Sequence, residues 1–210
     1  MRHAGDRSDA DELLLPTLRR HGLSEATALA VVRLGEELRA RMVHQDIEYA
    51  AMIDMHSGAQ LGPILSGEAH RVDLRPQLES MQMRRSYIQI HTHPGGLTFS
   101  PSDGEITAAH EGIQAMVAVG TNGIWYILSK APNFVPLPPR QVAGSFTIEW
   151  QAQRPRYQIA IINGELPASA LNELPHQVWQ TMAPLLGLRY DRVRLEWGED
   201  YGAEKTAAHA

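Results

Sequence analysis

The sequence contains no cysteine. That absence excludes disulfides, thiol nucleophiles and Cys-ligated zinc, and it leaves His, Asp and Glu as the candidate metal ligands. There is no dense Lys/Arg block either: 19 basic residues stand against 24 acidic ones for a formal charge of −5. A phosphate-backbone footprint is therefore missing, and nucleic acid is not expected as a partner. No apolar run approaches the ~18 residues that cross a bilayer, and the opening MRHAGDRSDADE lacks a hydrophobic signal core. No membrane partner is expected, and cytoplasmic residence follows as the default. What is present is an ordinary globular balance over 210 residues, with 43% hydrophobic and 20% charged, enough for one well-filled core with appendages.

The periodicity along the chain predicts an α/β fold. Residues 1–22 read as a partly disordered N-terminal segment in which Glu12 to Arg20 forms a short helix with Pro16 near its first turn. Ser24 offers a cap, and Val31, Leu34, Leu38 and Met42 repeat at helical spacing, so a helix is expected from Ser24 to Val43. From Ile47 the texture changes to short segments between turn residues, IEYAAMID, AQLGPIL and AHRVDL, which read as a meander of strands. SYIQIHTH is the clearest strand, with Ile88 and Ile90 on one face and Tyr87, Gln89, His91 and His93 on the other.

Ser102 or Ser100 caps a following helix that runs to about Gly112, and the strands Met116 to Val119 and Ile124 to Leu128 turn at Thr121-Asn122-Gly123. After the Pro-rich APNFVPLPPR come a strand or helix from Phe146 to Ile162, a helix from Leu174 to Leu186 ended by Gly187, and a strand from Arg189 to Leu195. The expected division is a main domain over residues 23–135, read as the catalytic one on the motif described next, and a C-terminal extension over 136–210 with a frayed tail. That extension covers the sheet, forms a homodimer interface or holds a partner. The tryptophans, Trp125, Trp150, Trp179 and Trp197, read as core or interface aromatics.

Chemistry concentrates in one stretch. Two histidines separated by one residue on a strand point the same way, their side-chain bases about 6.5 to 7 Å apart for a ~3.3 Å rise, and form a two-point clamp for a metal ion. The turn at Pro94-Gly95-Gly96 brings the chain back so that Asp103, in the first turn of the next helix, supplies a third ligand. Three protein ligands leave a position open for water, as in a catalytic site. A water so activated needs a base, and Glu48 serves if its strand lies beside the histidine strand; Glu68 is the runner-up. The hydroxyl of Ser100 is the candidate donor to a developing oxyanion. His110, two helical turns beyond Asp103, reads as a surface residue or an outer partner of the metal ligands, His44, His56, His70 and His176 have no partner at ligand spacing, and His3, His21 and His209 belong to solvated or terminal segments.

HTHPGGLTFSPSD, from His91 to Asp103, resembles the His-x-His-Pro…Ser-x-x-Asp signature of the JAMM (MPN-plus) zinc metalloproteases, bacterial or phage-like members included. Glu48, which lies 43 residues before His91, matches the position of that family's glutamate. The resemblance covers roughly Ser24 to Lys130. It implies a curved mixed sheet flanked by helices in the deaminase-like MPN layout. It also implies one zinc per chain on His91, His93 and Asp103, Glu48 as general base and then acid, and Ser100 as oxyanion donor. The implied activity is hydrolysis of a peptide or isopeptide bond in a protein or peptide substrate, with the C-terminal glycine of a ubiquitin-like protein the most suggestive class. Six residues separate His93 from Ser100, one fewer than in the well-known deubiquitinating members, a tighter loop that bears on specificity. A non-catalytic MPN scaffold that binds partner proteins is the alternative. A zinc deaminase would need a Pro-Cys-x-x-Cys pair, which a cysteine-free chain does not have.

Overall fold

Two helices open the chain in the computed structural model, which describes residues 9–69, 71–138 and 140–195. The first, α1 (Asp9–Arg20), starts earlier than its apolar pattern predicts and carries the exposed Pro16 in its interior rather than its first turn. Pro16 lacks an N–H and interrupts the intrahelical ladder, while Leu14 and Leu18, fully buried on the next helix and the sheet, hold the segment helical across it. The second, α2 (Glu25–Gln45), has the predicted cap: the Ser24 hydroxyl accepts from the Thr27 backbone N–H at 3.1 Å. It ends at Asp46 in the left-handed region. The expected disorder at the N-terminus, together with His3, His70, Trp197 and His209, lies outside the described residues.

A six-stranded mixed sheet follows. Its strands are β1 (Tyr49–Asp54), β2 (Leu65–Ser66), β3 (Tyr87–His93), β4 (Ile113–Gly120), β5 (Ile124–Lys130) and β6 (Leu188–Arg194), in the order β2-β1-β3-β4-β5-β6. All neighbours are antiparallel except β3 and β4. A parallel pair needs a crossover, and here one helix supplies it. A six-residue helix, α3 (Arg75–Ser80), precedes β3, and α4 (Pro101–Ala109) connects β3 to β4. The meander expected over AQLGPIL and AHRVDL is not present. Only Leu65–Ser66 pairs as a strand, with single bridges at Ile53↔Gln60 and Glu68↔Arg71, and residues 75–80 are helical. Gly58, Gly62, Pro63 and Gly67 break the alternation before a ladder can extend.

Each face of the sheet is covered. On one, α1 and α2 pack on Ala51, Ile53, Ile88, Ile90, Val117 and Ile127. The other is covered by α4 and by the C-terminal helices α5 (Gln141–Ile162) and α6 (Leu174–Leu185), whose Phe146, Val178, Trp179 and Met182 pack on Met116, Tyr126 and Leu128. The segment after residue 136, whose role the sequence left open, supplies the sixth strand and much of the second layer; the helix expected near Leu174 to Leu186 and the strand near Arg189 to Leu195 are α6 and β6, and the stretch read as strand or helix is the 22-residue α5. Ile88 and Ile90 face α2 as the strand alternation predicts, which turns Gln89, His91 and His93 to the opposite side. Among the described residues no helix is long and apolar enough to cross a membrane.

Candidate metal centre

The ligand-bearing residues come from where β3 ends and α4 begins. His91 pairs with Ala50 of β1 and with Ala118 of β4, so its backbone is held from both sides; His93 pairs with Gly120. Between them Thr92 turns to the other face, where its hydroxyl accepts the Tyr49 backbone N–H at 2.9 Å. Of the two candidate caps it is Ser100, not Ser102, that starts α4. The Ser100 hydroxyl accepts from the Asp103 N–H at 3.2 Å, and the Ser100 N–H donates to Asp103 Oδ2 at 2.7 Å, a reciprocal capping box. Asp103 is therefore locked at the electropositive start of a helix, a favourable place for a carboxylate.

The orientation of each imidazole follows from its outer hydrogen bond. Gln89, two residues before His91 on the same face, accepts from His91 Nδ1 at 2.8 Å. Its own amide N–H donates to the Ile90 carbonyl, which fixes the oxygen toward the ring. The Leu97 carbonyl, able only to accept, takes the proton of His93 Nδ1 at 2.7 Å. Both Nδ1 atoms then carry hydrogen, so both Nε2 atoms present lone pairs, and these face each other 2.8 Å apart. Two converging lone pairs repel unless a positive charge lies between them. Asp103 Oδ2 stands 3.9 Å from each Nε2. The circumradius of that triangle is about 2.1 Å, the bond length of a zinc-sized divalent ion to imidazole nitrogen or carboxylate oxygen. Among the described residues these three form the group whose donor atoms all lie within 4.8 Å of one another and can hold a metal ion. The donor set fits the group.

Burial completes the electrostatics. His91 is enclosed, and loss of water pulls its pKa down to about 4, with Asp103 opposing and His93 adding to the shift; the ring is neutral at neutral pH, as a ligand must be. Glu48 sits just ahead of β1. The register Ala50↔His91, carried two residues on, sets it opposite His93 on the same face. Its backbone is fixed by bonds from the Glu48 N–H to the Glu68 carbonyl and from the Gly67 N–H to the Glu48 carbonyl, both 2.8 Å. Burial, and secondarily the charge of Asp103, raise the Glu48 carboxyl to about 7. The runner-up, Glu68, is exposed and reaches the site only through that backbone bond.

All five predicted residues, Glu48, His91, His93, Ser100 and Asp103, line one cleft of about 670 Å³. Its far wall is Arg71 to Arg75 with Leu78; Arg71 to Leu74 fall in the segment expected as a strand, and Arg75 and Leu78 in the helix α3 after it, which no sequence pattern singled out. Ser100 is exposed, but its hydroxyl donates to Asp103 Oδ2 at 2.8 Å, so it reaches an oxyanion only by rotating off that carboxylate. His110 caps the far end of α4 and lies outside the cleft. Gln89 and the Leu97 carbonyl are the partners missed as functional, and only Gln89, by its place on the ligand face, left a signal in the sequence. His21, read as solvated, is buried between Ser129 and Asp191; these partners lie too far along the chain for any local pattern to disclose them. Compared with protein-family models, curated proteins and solved structures, the chain matches none.

Proposed function

We propose that this chain is a zinc-dependent hydrolase of the JAMM (MPN-plus) type that cleaves a peptide or isopeptide bond. The supporting observation is the convergence of two Nε2 lone pairs and one carboxylate oxygen at ion-binding separation, in the same cleft as a buried glutamate. Two imidazoles and one carboxylate with an open fourth position favour zinc over the oxygen-seeking magnesium and calcium. The chemistry supplied by zinc in such a setting is activation of water at neutral pH and polarisation of a carbonyl.

The protein's own groups do the rest. Gln89 and the Leu97 carbonyl keep the histidines in the ligand tautomer. Glu48, with a carboxyl held near neutrality, takes the proton from the attacking water and returns it to the departing amine nitrogen. Ser100, turned away from Asp103, donates to the oxyanion. No covalent acyl-enzyme is required. Substrates are peptides or protein conjugates, with a bond after the C-terminal glycine of a ubiquitin-like protein the first class to assay.

Glu48→Gln is the deciding variant. Metal analysis of the purified chain is expected to give about one zinc per chain in both wild type and variant, with hydrolysis lowered at least ~10²-fold in the variant. Turnover that survives the substitution removes Glu48 as the base. A wild-type chain that takes up no zinc, even when refolded with it, replaces the hydrolase by a scaffold that binds partner proteins.

A further inference from the structure

The loop from Pro94 to Phe99 joins the two halves of the ligand set, the histidine strand and the Ser100–Asp103 helix start. Its first half is tied to the β4–β5 hairpin: Thr121 Oγ1 donates to the Pro94 carbonyl at 2.9 Å and the Tyr126 hydroxyl to the Gly96 carbonyl at 3.1 Å. Its second half is tied to the C-terminal segment. Trp179 Nε1–H donates to the Phe99 carbonyl at 2.7 Å, and the Tyr190 hydroxyl lies 2.8 Å from Thr98 Oγ1.

Trp179 is wholly buried. Its ring stands edge-on to Phe99 with centroids 6.3 Å apart and stacks on Tyr190 at 6.2 Å. It also fills the space beside Gly104, where an added Cβ would come within 2.2 Å of the indole. Phe99 precedes Ser100 and Gly104 follows Asp103, so one side chain grips the capping turn at both ends. The grip is restoring: a shift of Phe99 away would leave a buried indole N–H without a partner.

Building on the metal-site reading, we infer that Trp179, with Tyr190 stacked behind it, is a positioning residue that sets Asp103 at ion-binding distance from His91 and His93. Ligands must be held to within about 0.5 Å for a site to work, and the loop that separates them is not an element that holds such a distance by itself. The C-terminal segment is thereby part of the metal centre although none of its described residues lines the cleft.

Cobalt(II) serves as the probe, because its visible d–d bands report coordination number. Titrating full-length wild type, His91→Ala, Trp179→Phe and Tyr190→Phe, with circular dichroism on each metal-free chain, separates positioning from folding. Trp179→Phe keeps an aromatic ring in the core and loses the Nε1–H together with part of the indole, so the dichroism spectrum is the control for packing. The expected result is a native dichroism spectrum, a cobalt Kd weakened by roughly 10- to 100-fold, and altered d–d bands, with Tyr190→Phe shifted in the same direction. Wild-type Kd and bands in Trp179→Phe overturn the positioning role while leaving the metal site standing. If Trp179→Phe does not fold, unchanged binding in Tyr190→Phe overturns it equally. A wild type that binds no better than His91→Ala overturns the site and the positioning role together.

Discussion

On one face of the sheet His91 meets His93 and Asp103; on the other His21 lies between Ser129, at 2.6 Å from Nδ1, and Asp191, at 2.9 Å from Nε2. Both central histidines are buried, and burial is the leading cause that lowers the pKa of each. By residue type the second cluster even matches a Ser-His-Asp relay. Yet Ser129 is only 1% exposed, so no substrate reaches its hydroxyl, and with one ring nitrogen on Ser129 and the other on Asp191 the cluster has no lone pair left for a metal ion. In the first cluster the outer nitrogens are satisfied and the inner ones are left aimed at a common point that opens on a cleft. Residue types, short distances and shifted pKa values occur in both. What distinguishes a site is convergence of unsatisfied groups together with access.

The largest test of that contrast is metal uptake. Asp103→Ala is expected to reduce zinc from about one per chain to background and to abolish the rise in Tm on adding zinc. Asp191→Ala, which cuts the other carboxylate, is expected to leave both unchanged. Loss of zinc in Asp191→Ala, read by mass spectrometry, breaks the distinction between the clusters.

A smaller effect concerns pH. Buried His21 accepts a proton less readily than in the unfolded chain, where its pKa is about 6.5. Its contribution to stability is complete above that value and is lost as pH falls below it, because the unfolded state then binds the extra proton. His176, whose pKa burial takes to about 4, adds to the same slope. Melting with chelator present between about pH 7 and 5 should show a shallower decline in His21→Gln than in wild type. Equal slopes remove His21 from the acid sensitivity.

The serines give the finest comparison. Ser129→Ala and Ser100→Ala each remove one hydroxyl and are each expected to cost about 1 kcal/mol, the first as a buried hydrogen bond and the second as a helix cap. Only Ser100→Ala should also lower hydrolysis. Equal turnover in both variants, measured at matched zinc content, denies Ser100 its part in the reaction.

The candidate ligand group was legible because its information is local. His91 and His93 share a face by strand alternation, Ser100 and Asp103 form a cap by helix-start chemistry, and all four lie within one strand, loop and helix. Glu48 was legible less directly, through its place at the start of an apolar strand. The wall Arg71 to Arg75 was not, since an alternating pattern without a partner strand looks the same as one with it. The long helix α5 buries only Val142 and Phe146 and exposes Ile148, Ile159 and Ile162, so its apolar residues mark no single face, and Pro155 interrupts it further. The bonds that orient the loop were hidden for a different reason: Trp179 and Phe99 are 80 positions apart.

That separation has a temporal meaning. Synthesis releases the chain from its N-terminus, so the strand, loop and helix that carry the candidate ligands are complete while α6 and β6 are still unmade. Through that interval the histidines and Asp103 lie on a growing chain whose Phe99 carbonyl has no indole to receive. The last third of the sequence, of which no described residue lines the cleft, is what brings its assembly to an end.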